Sequence, residues 1–223
     1  SHGSPETLRK FAALRDWDFA QIQLNYLDWE LQQAKQQYEI LTERGIPVMV
    51  MEPVRGGRLA SLCPEADALL KALRPELSIA SWALRFVADL PNVQVVLSGM
   101  STLEQLRDNL GTFSQENPLT PEERHTLEEA LSLFRKKFTI PCTGCGYCSG
   151  CPMELHIPEF LKAYNEYLIS GSPMALDSVL AVPGDQQPKA CVGCNQCAEH
   201  CPQHIDVPKY MMELARTLHQ RNP

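Results

Sequence analysis

Two short cysteine runs dominate the chemistry available to this sequence. They read Cys142-x2-Cys145-x2-Cys148-x2-Cys151-Pro152 and Cys191-x2-Cys194-x2-Cys197-x3-Cys201-Pro202. Eight of the nine cysteines lie in them, and only Cys63, read as a thiol without a role, lies elsewhere. Structural zinc usually takes two separated pairs of ligands, because four donors must converge on one ion. Here three cysteines follow one another at x2 spacing and a fourth precedes a proline. The second run fits the pattern of a [4Fe–4S] loop, in which the fourth cysteine serves the other cluster of a pair. The spacing thus predicts two [4Fe–4S] clusters with crosswise ligation. Cys142, Cys145, Cys148 and Cys201 would hold one, and Cys191, Cys194, Cys197 and Cys151 the other. The first run departs from the pattern by one residue before Cys151. Zinc knuckles and a disulfide module are the alternatives. His156 and His204 follow the Cys-Pro steps, as donors to cluster sulfur or as turn residues.

Elements must position these runs. The apolar fraction is 44% and the formal net charge −7, which permits a buried core and argues against nucleic-acid binding. No apolar stretch approaches the ~18 residues of a membrane span. No basic region followed by an apolar block opens the chain. These features predict a cytoplasmic protein without membrane partners, in a compartment where thiols stay reduced.

Before the cysteines, the pattern predicts βα units. Ser4 caps a helix that starts at Pro5 and runs to about Leu14. Phe19–Asn25 alternates as a strand, and Trp29–Arg44 is one helix closed by Gly45. Ile46–Met51 is a buried strand, and helices follow over Pro64–Leu73 and Pro75–Ala88. Val93–Leu97 is a third strand, with a helix over Thr102–Leu110. Short apolar strands alternating with helices predict a parallel sheet covered on both faces. Residues 114–138 read as a linker with a helix capped by Thr120 and Glu123. Residues 139–223 read as helices and cysteine loops without strands, with helices over Ile157–Ile169 and Pro208–Gln220. They carry an internal repeat in which His156-Ile157-Pro158 matches the segment His204–Pro208.

Residues 1–113 carry a further series: Gln21-Ile-Gln23-Leu-Asn25-Tyr26, Pro47-Val-Met-Val-Met-Glu52-Pro-Val-Arg-Gly-Gly57-Arg-Leu59, and Val96-Leu-Ser-Gly-Met100 with Leu103-Glu-Gln-Leu-Arg-Asp-Asn109. This series resembles the C-terminal half of an aldo/keto reductase. Joined to the cysteine runs, it resembles the members with a C-terminal dicluster ferredoxin domain. The resemblance implies an α/β fold: the C-terminal part of a (β/α)8 TIM barrel followed by an all-α dicluster ferredoxin-like domain. It implies NAD or NADP at the strand ends, with Ser1 and Gln21 at the carboxamide and Met51 at the nicotinamide ring. Glu52, Pro53, Val54, Arg55, Gly56 and Gly57 would form the phosphate-facing loop. Gly99, Met100, Ser101, Gln105 and Asn109 would surround the adenosine. Gly99 and Gln105 stand where many NADPH-using relatives have basic residues.

The family's Asp, Tyr, Lys and His tetrad belongs to the first four strands, so no catalytic residue is expected in this chain. The expected protein is an iron–sulfur oxidoreductase acting on a small carbonyl or alcohol. Its clusters would exchange electrons with a redox partner protein or a small carrier. The 223-residue chain alone is expected to lack turnover. The other function class is a non-catalytic electron-carrier or docking module. The unpaired strand edges predict a homodimer through the half-barrel, or a preceding segment.

Overall fold

The computed structural model describes residues 3–114, 118–137 and 140–221. The chain forms two compact units, Ser1–Phe134 and Arg135–Pro223.

The first unit is built on three parallel strands in the order β1-β2-β3: β1 (Ala20–Gln23), β2 (Val48–Met51) and β3 (Val93–Val96). Ile22 pairs in register with Val50, and Gln23 with Met51. Side chains alternate across a strand, so Ile22, Val48 and Val50 share one face. That face is fully buried against Leu8 and Ala12 of α1 (Pro5–Ala12), and against Tyr38 and Leu41 beyond β1. The opposite face carries exposed Gln21, half-buried Met49 and Met51, and Val95, which pairs with Met49 and is 38% exposed. The expectation of cover on both faces fails here: Leu8, Ala12, Tyr38 and Leu41 cover the Ile22–Val50 side, whereas Gln21 and Val95 on the other stay exposed.

Helix boundaries follow the capping chemistry. Ser4 accepts from the Thr7 backbone N–H and starts α1, which ends at Ala12, two residues short of the sequence expectation. The helix expected over Trp29–Arg44 is instead two: α2 (Asp28–Leu31) and α3 (Ala34–Glu43). Gln33 between them is left-handed at φ 53. The break follows because α2 is tied at Asp28 to a buried side-chain cluster, whereas α3 is anchored through Ala34, Tyr38 and Leu41 to the strand core. Gly45 at φ 65 closes α3, with its N–H donating to Thr42 O and Ile46 N–H to Leu41 O, a Schellman ending.

After β2, the chain turns through Glu52–Gly57 into α4 (Pro64–Leu73). The next helix, α5 (Ile79–Ala88), begins four residues later than Pro75 suggests. Ser78 accepts from Ser81 N–H, and a side-chain cap outranks a proline as a start signal here. Beyond β3, Thr102 and Gln105 form a capping box at α6 (Leu103–Phe113). Thr120 and Glu123 form another at α7 (Pro121–Arg135). All but the last residue of this helix lies in the first unit. The buried Glu123 carboxylate takes two hydrogen bonds from Arg85, at 2.8 and 2.9 Å, and one from Arg74 at 2.6 Å.

In the second unit, described residues form no strand. Helix α8 (Ile157–Ser170) ends at left-handed Gly171. A turn over Pro173–Leu176 leads to α9 (Asp177–Leu180), then turns over Gly184–Gln186 and Pro188–Ala190, α10 (Gln196–Glu199) and α11 (Val207–Arg221). Phe160, Leu161 and Tyr164 of α8 pack with Met211, Leu214 and Leu218 of α11 around Leu176 and Val179. Six of the run cysteines lie against this core: Cys142, Cys148, Cys151, Cys191, Cys197 and Cys201.

Candidate functional site

The two cysteine loops repeat one backbone conformation. Gly144 and Gly193 have φ 75 and 67, and Gly146 and Asn195 have φ 78 and 63. Each lies at the same step of its loop, where a left-handed residue reverses the chain between thiols. After the Cys-Pro steps, Glu154 and His204 are left-handed at φ 51 and 52. Their N–H groups donate to Cys151 O and Cys201 O, both at 3.0 Å. Leu155 and Ile205 then plug into the core, followed by Ile157 and Val207 at the starts of α8 and α11. The repeat therefore matches His204 with Glu154, not with His156. His156 instead stacks on Phe160, one turn along α8. The extra residue before Cys201 is taken up by the single turn α10, while the first run makes a tighter turn with Ser149 N–H on Gly146 O.

This geometry gathers the thiols crosswise. Cys142, Cys145, Cys148 and Cys201 line one cavity. Cys191, Cys194, Cys197 and Cys151 line a second. Leu161, Ile205 and Val207 wall the first, and Leu155, Ile157 and Met211 the second.

The donor set suits a cluster better than a single ion. Each cavity presents four cysteine thiols and no imidazole or carboxylate, and a cubane takes one thiolate per iron. Burial pushes the Cys148 thiol up to about 12, with the facing Cys142, Cys145 and Cys201 thiols adding to the effect. Cys197 is raised by burial, and by Cys191 and Cys151. As thiolates, four groups crowded this way would need a cation among them.

A side-chain amide fixes the entry to the first loop. Buried Asn165 on α8 accepts from Ile140 N–H at 3.1 Å and donates to Ile140 O at 2.7 Å. It carries no sequence signal, since its partner is backbone. Thr143, which no sequence pattern marks, lines the first cavity at 7% exposure.

A separate cleft of about 260 Å³ lies in the first unit, at the C-terminal ends of β2 and β3. Glu52, Pro53, Val54, Arg55, Gly56 and Gly57 form one wall, and Gly99, Met100, Gln105 and Asn109 the other. Ten residues picked out by sequence thus meet in one place. Ser101 stands beside it, its N–H donating to Gln105 Oε1 at 2.8 Å. Gln21 and Met51 are not in the cleft wall; they lie on the strands, with Gln21 Nε2 donating to Met51 Sδ at 3.2 Å. Ser1 lies outside the described residues.

The loop wall is held from behind. Arg55 is left-handed at φ 51 and fully buried, with Nε 3.0 Å from Asp28 Oδ1. Asp28 also accepts from Gln23 and Asn25, both at 2.7 Å. Asn25 donates in turn to Glu52 O at 2.9 Å, and Glu52 is left-handed at φ 56. Left-handed non-glycine residues cost of order 1–3 kcal/mol each, and this network offsets the strain. On the other wall, Asp108 accepts from Ser78 Oγ at 2.6 Å and Asn109 donates to Ser98 Oγ at 2.9 Å. Burial raises the Glu52 carboxyl above its ordinary value, against the opposing pull of the Gly56 N–H and Arg55. The cleft therefore offers the N-terminus of α6, glycine backbone and two carboxylates. Among the described lining residues its one cation, Arg55, is directed to Asp28.

The aldo/keto reductase family model matches residues 1–132, and a 4Fe-4S dicluster domain matches residues 141–205. A heterodisulfide reductase subunit-like protein of Archaeoglobus profundus is 26% identical over 121 residues, 52% of this chain and 62% of that protein. The aldo-keto reductase AKR11C1 from Bacillus halodurans, in its holo form, is similar at 24% identity and a TM-score of 0.44, over 57% of this chain and 47% of that one. Its apo form gives the same identity and TM-score, with 48% of that chain covered. The chain spans under two thirds of the curated relative and about half of these solved chains.

Proposed function

The chain belongs to the aldo/keto reductase family and carries a 4Fe-4S dicluster domain; from that premise we propose that it is part of an iron–sulfur oxidoreductase with two [4Fe–4S] clusters and a nicotinamide site. The observation that carries the cluster reading is the crosswise meeting of thiols, with Cys201 in the cavity of the first run and Cys151 in that of the second. When bound, the clusters supply one-electron transfer. Cys142, Cys145, Cys148 and Cys201 would hold one, and Cys191, Cys194, Cys197 and Cys151 the other. Leu161, Ile205 and Met211 keep water from the sulfur, which bears on potential.

On this reading the three βα units are the last of a (β/α)8 barrel, whose sites lie at the C-terminal strand ends. The cleft between Glu52–Gly57 and Gly99–Asn109 takes the phosphate and adenosine portions of the dinucleotide. Bare Gly56 and Gly57 backbone and the α6 N-terminus suit an anion. Gln21 and Met51 would face the nicotinamide. Glu52 and Asp108 stand in the cleft wall with no cation but Arg55 among the described lining residues, which favours NAD over NADP. A small carbonyl or alcohol is the substrate class, and a protein or small carrier takes the electrons.

Iron and acid-labile sulfide analysis tests the cluster reading. Eight of each per chain are expected, with broad visible absorbance; a colourless protein carrying zinc overturns it. Titration with NADH tests the nucleotide site. A second reading, an electron-relay module without nucleotide, draws support from the Archaeoglobus relative, whose name is that of a reductase subunit. Full cluster content with no NADH binding would select it.

A further inference from the structure

The two cysteine cavities differ in their buried polar lining: the first holds Thr143 and Gln203, where the second has Val192 and Met153. Thr143 follows Cys142, is 7% exposed, and lines the cavity of Cys142, Cys145, Cys148 and Cys201. Its Oγ1 is buried and has no hydrogen-bond partner among the described residues. At the same step of the other loop stands Val192, which is 64% exposed and has no side-chain donor. A buried hydroxyl without a partner costs free energy, and native folds seldom leave one so. Four cysteine sulfurs line this cavity, together with the side chain of Gln203.

We propose that the Thr143 hydroxyl donates a hydrogen bond to sulfur of the cluster held by Cys142, Cys145, Cys148 and Cys201, and so makes it the higher-potential cluster of the pair. This rests on the two-cluster reading above. Adding one electron makes a cluster more negative by one unit of charge, spread over its sulfurs. A donor aimed at sulfur stabilises that reduced form more than the oxidised one, and raises the potential. The second cavity has no matching hydroxyl at Val192. Electrons entering the domain then collect on the Thr143 side. Thr143 ligates no iron; it acts through the sulfur it faces.

The test is a redox titration of the cluster-loaded chain, followed by electron paramagnetic resonance. Iron and sulfide are counted first: a shortfall in the unsubstituted protein overturns the two-cluster reading beneath the proposal. With both clusters present, Thr143→Val is expected to lower the higher midpoint. The expected size is about tenfold in the reduction equilibrium, or about 59 mV for one electron, with the lower midpoint unmoved. Thr143→Ser keeps the hydroxyl and should keep the native value. Thr143→Ala repeats the loss with a smaller side chain, should valine disturb folding. An unmoved higher midpoint, a shift of the lower one, equal shifts of both, or a serine variant that behaves like valine each overturns the role of Thr143.

Discussion

Asp28 and Arg55 are 27 residues apart in sequence, fully buried, and joined through Arg55 Nε at 3.0 and 3.1 Å to the two carboxylate oxygens. The pair ties the break before α3 to the left-handed loop that walls the candidate cleft. One contact thereby links a helix boundary to a candidate binding surface.

Removing one side of that pair should be costly. Asp28→Asn leaves a guanidinium buried against a neutral amide, and about 3–5 kcal/mol of stability should be lost. NADH affinity should fall with it, because the Glu52–Gly57 loop is no longer held. Asp28→Asn combined with Arg55→Met should recover part of the stability. Urea denaturation of single and double variants measures this; additive losses would show that the two residues are not coupled.

Glu123 makes the first unit sensitive to acid. Burial alone would raise its carboxyl, but hydrogen bonds from Arg85 and Thr120 N–H, and the charges of Arg85 and Arg74, hold it at about 2. An unfolded glutamate titrates near ~4.3. A depressed folded value stabilises the fold above the unfolded value, and that stability is lost as pH falls from about 4 toward 2. Thermal unfolding between pH 6 and 2.5, read by tryptophan fluorescence, should show this slope. All three tryptophans, Trp17, Trp29 and Trp82, lie in the first unit. Glu123→Gln should be less stable at pH 6 and flatter in this window.

Asn165 should govern how firmly the first cluster is held. Asn165→Ala breaks both bonds to Ile140 and leaves buried backbone groups unsatisfied, at about 1–3 kcal/mol. Visible absorbance under chelator should bleach faster, and only about half of it should be affected if the loops act separately. Equal bleaching of both halves would mean that the domain opens as one body.

Crosswise ligation has its own signature. Cys201→Ser should perturb the same resonance signal as Cys148→Ser, and Cys151→Ser the same signal as Cys197→Ser. If Cys201→Ser instead tracks Cys197→Ser, each run ligates its own cluster.

The proposed nucleotide cleft should prefer NADH. A 2′-phosphate would meet Glu52 and Asp108 with Arg55 already directed to Asp28, so NADPH should bind about tenfold or more weakly, by the cost of an unpaired charge near carboxylates. Fluorescence titration compares the two. Tighter NADPH binding would place a cation in the cleft that the resting arrangement hides.

Much is legible in residue order, and the particulars say why. Cysteine spacing with a following proline is a local constraint, so the two loops and the partner each fourth cysteine would seek can be read directly. Capping residues such as Ser4, Thr102 and Thr120 act within one turn, so those helix starts can be read too. The strand runs around Ile22, Val48 and Val93 need only alternation and apolar length. The pattern over Trp29–Arg44 shows a single helix because its break depends on Asp28 meeting Arg55, and no local pattern records that meeting. Likewise, residues 114–138 read as a linker because the apolar stripe of α7 does not reveal that Glu123 is clamped by Arg85 and Arg74.

By itself, then, the sequence determined the chemistry: which thiols exist, how they are spaced, and which run each fourth cysteine would join. Only the tertiary structure decided that Asn165 holds the Ile140 backbone. It also decided that Thr143 is buried while its counterpart Val192 is exposed. Ligand spacing is written along the chain and survives without folding. Burial and hydrogen-bond partnership arise only when distant segments pack, and so belong to the fold.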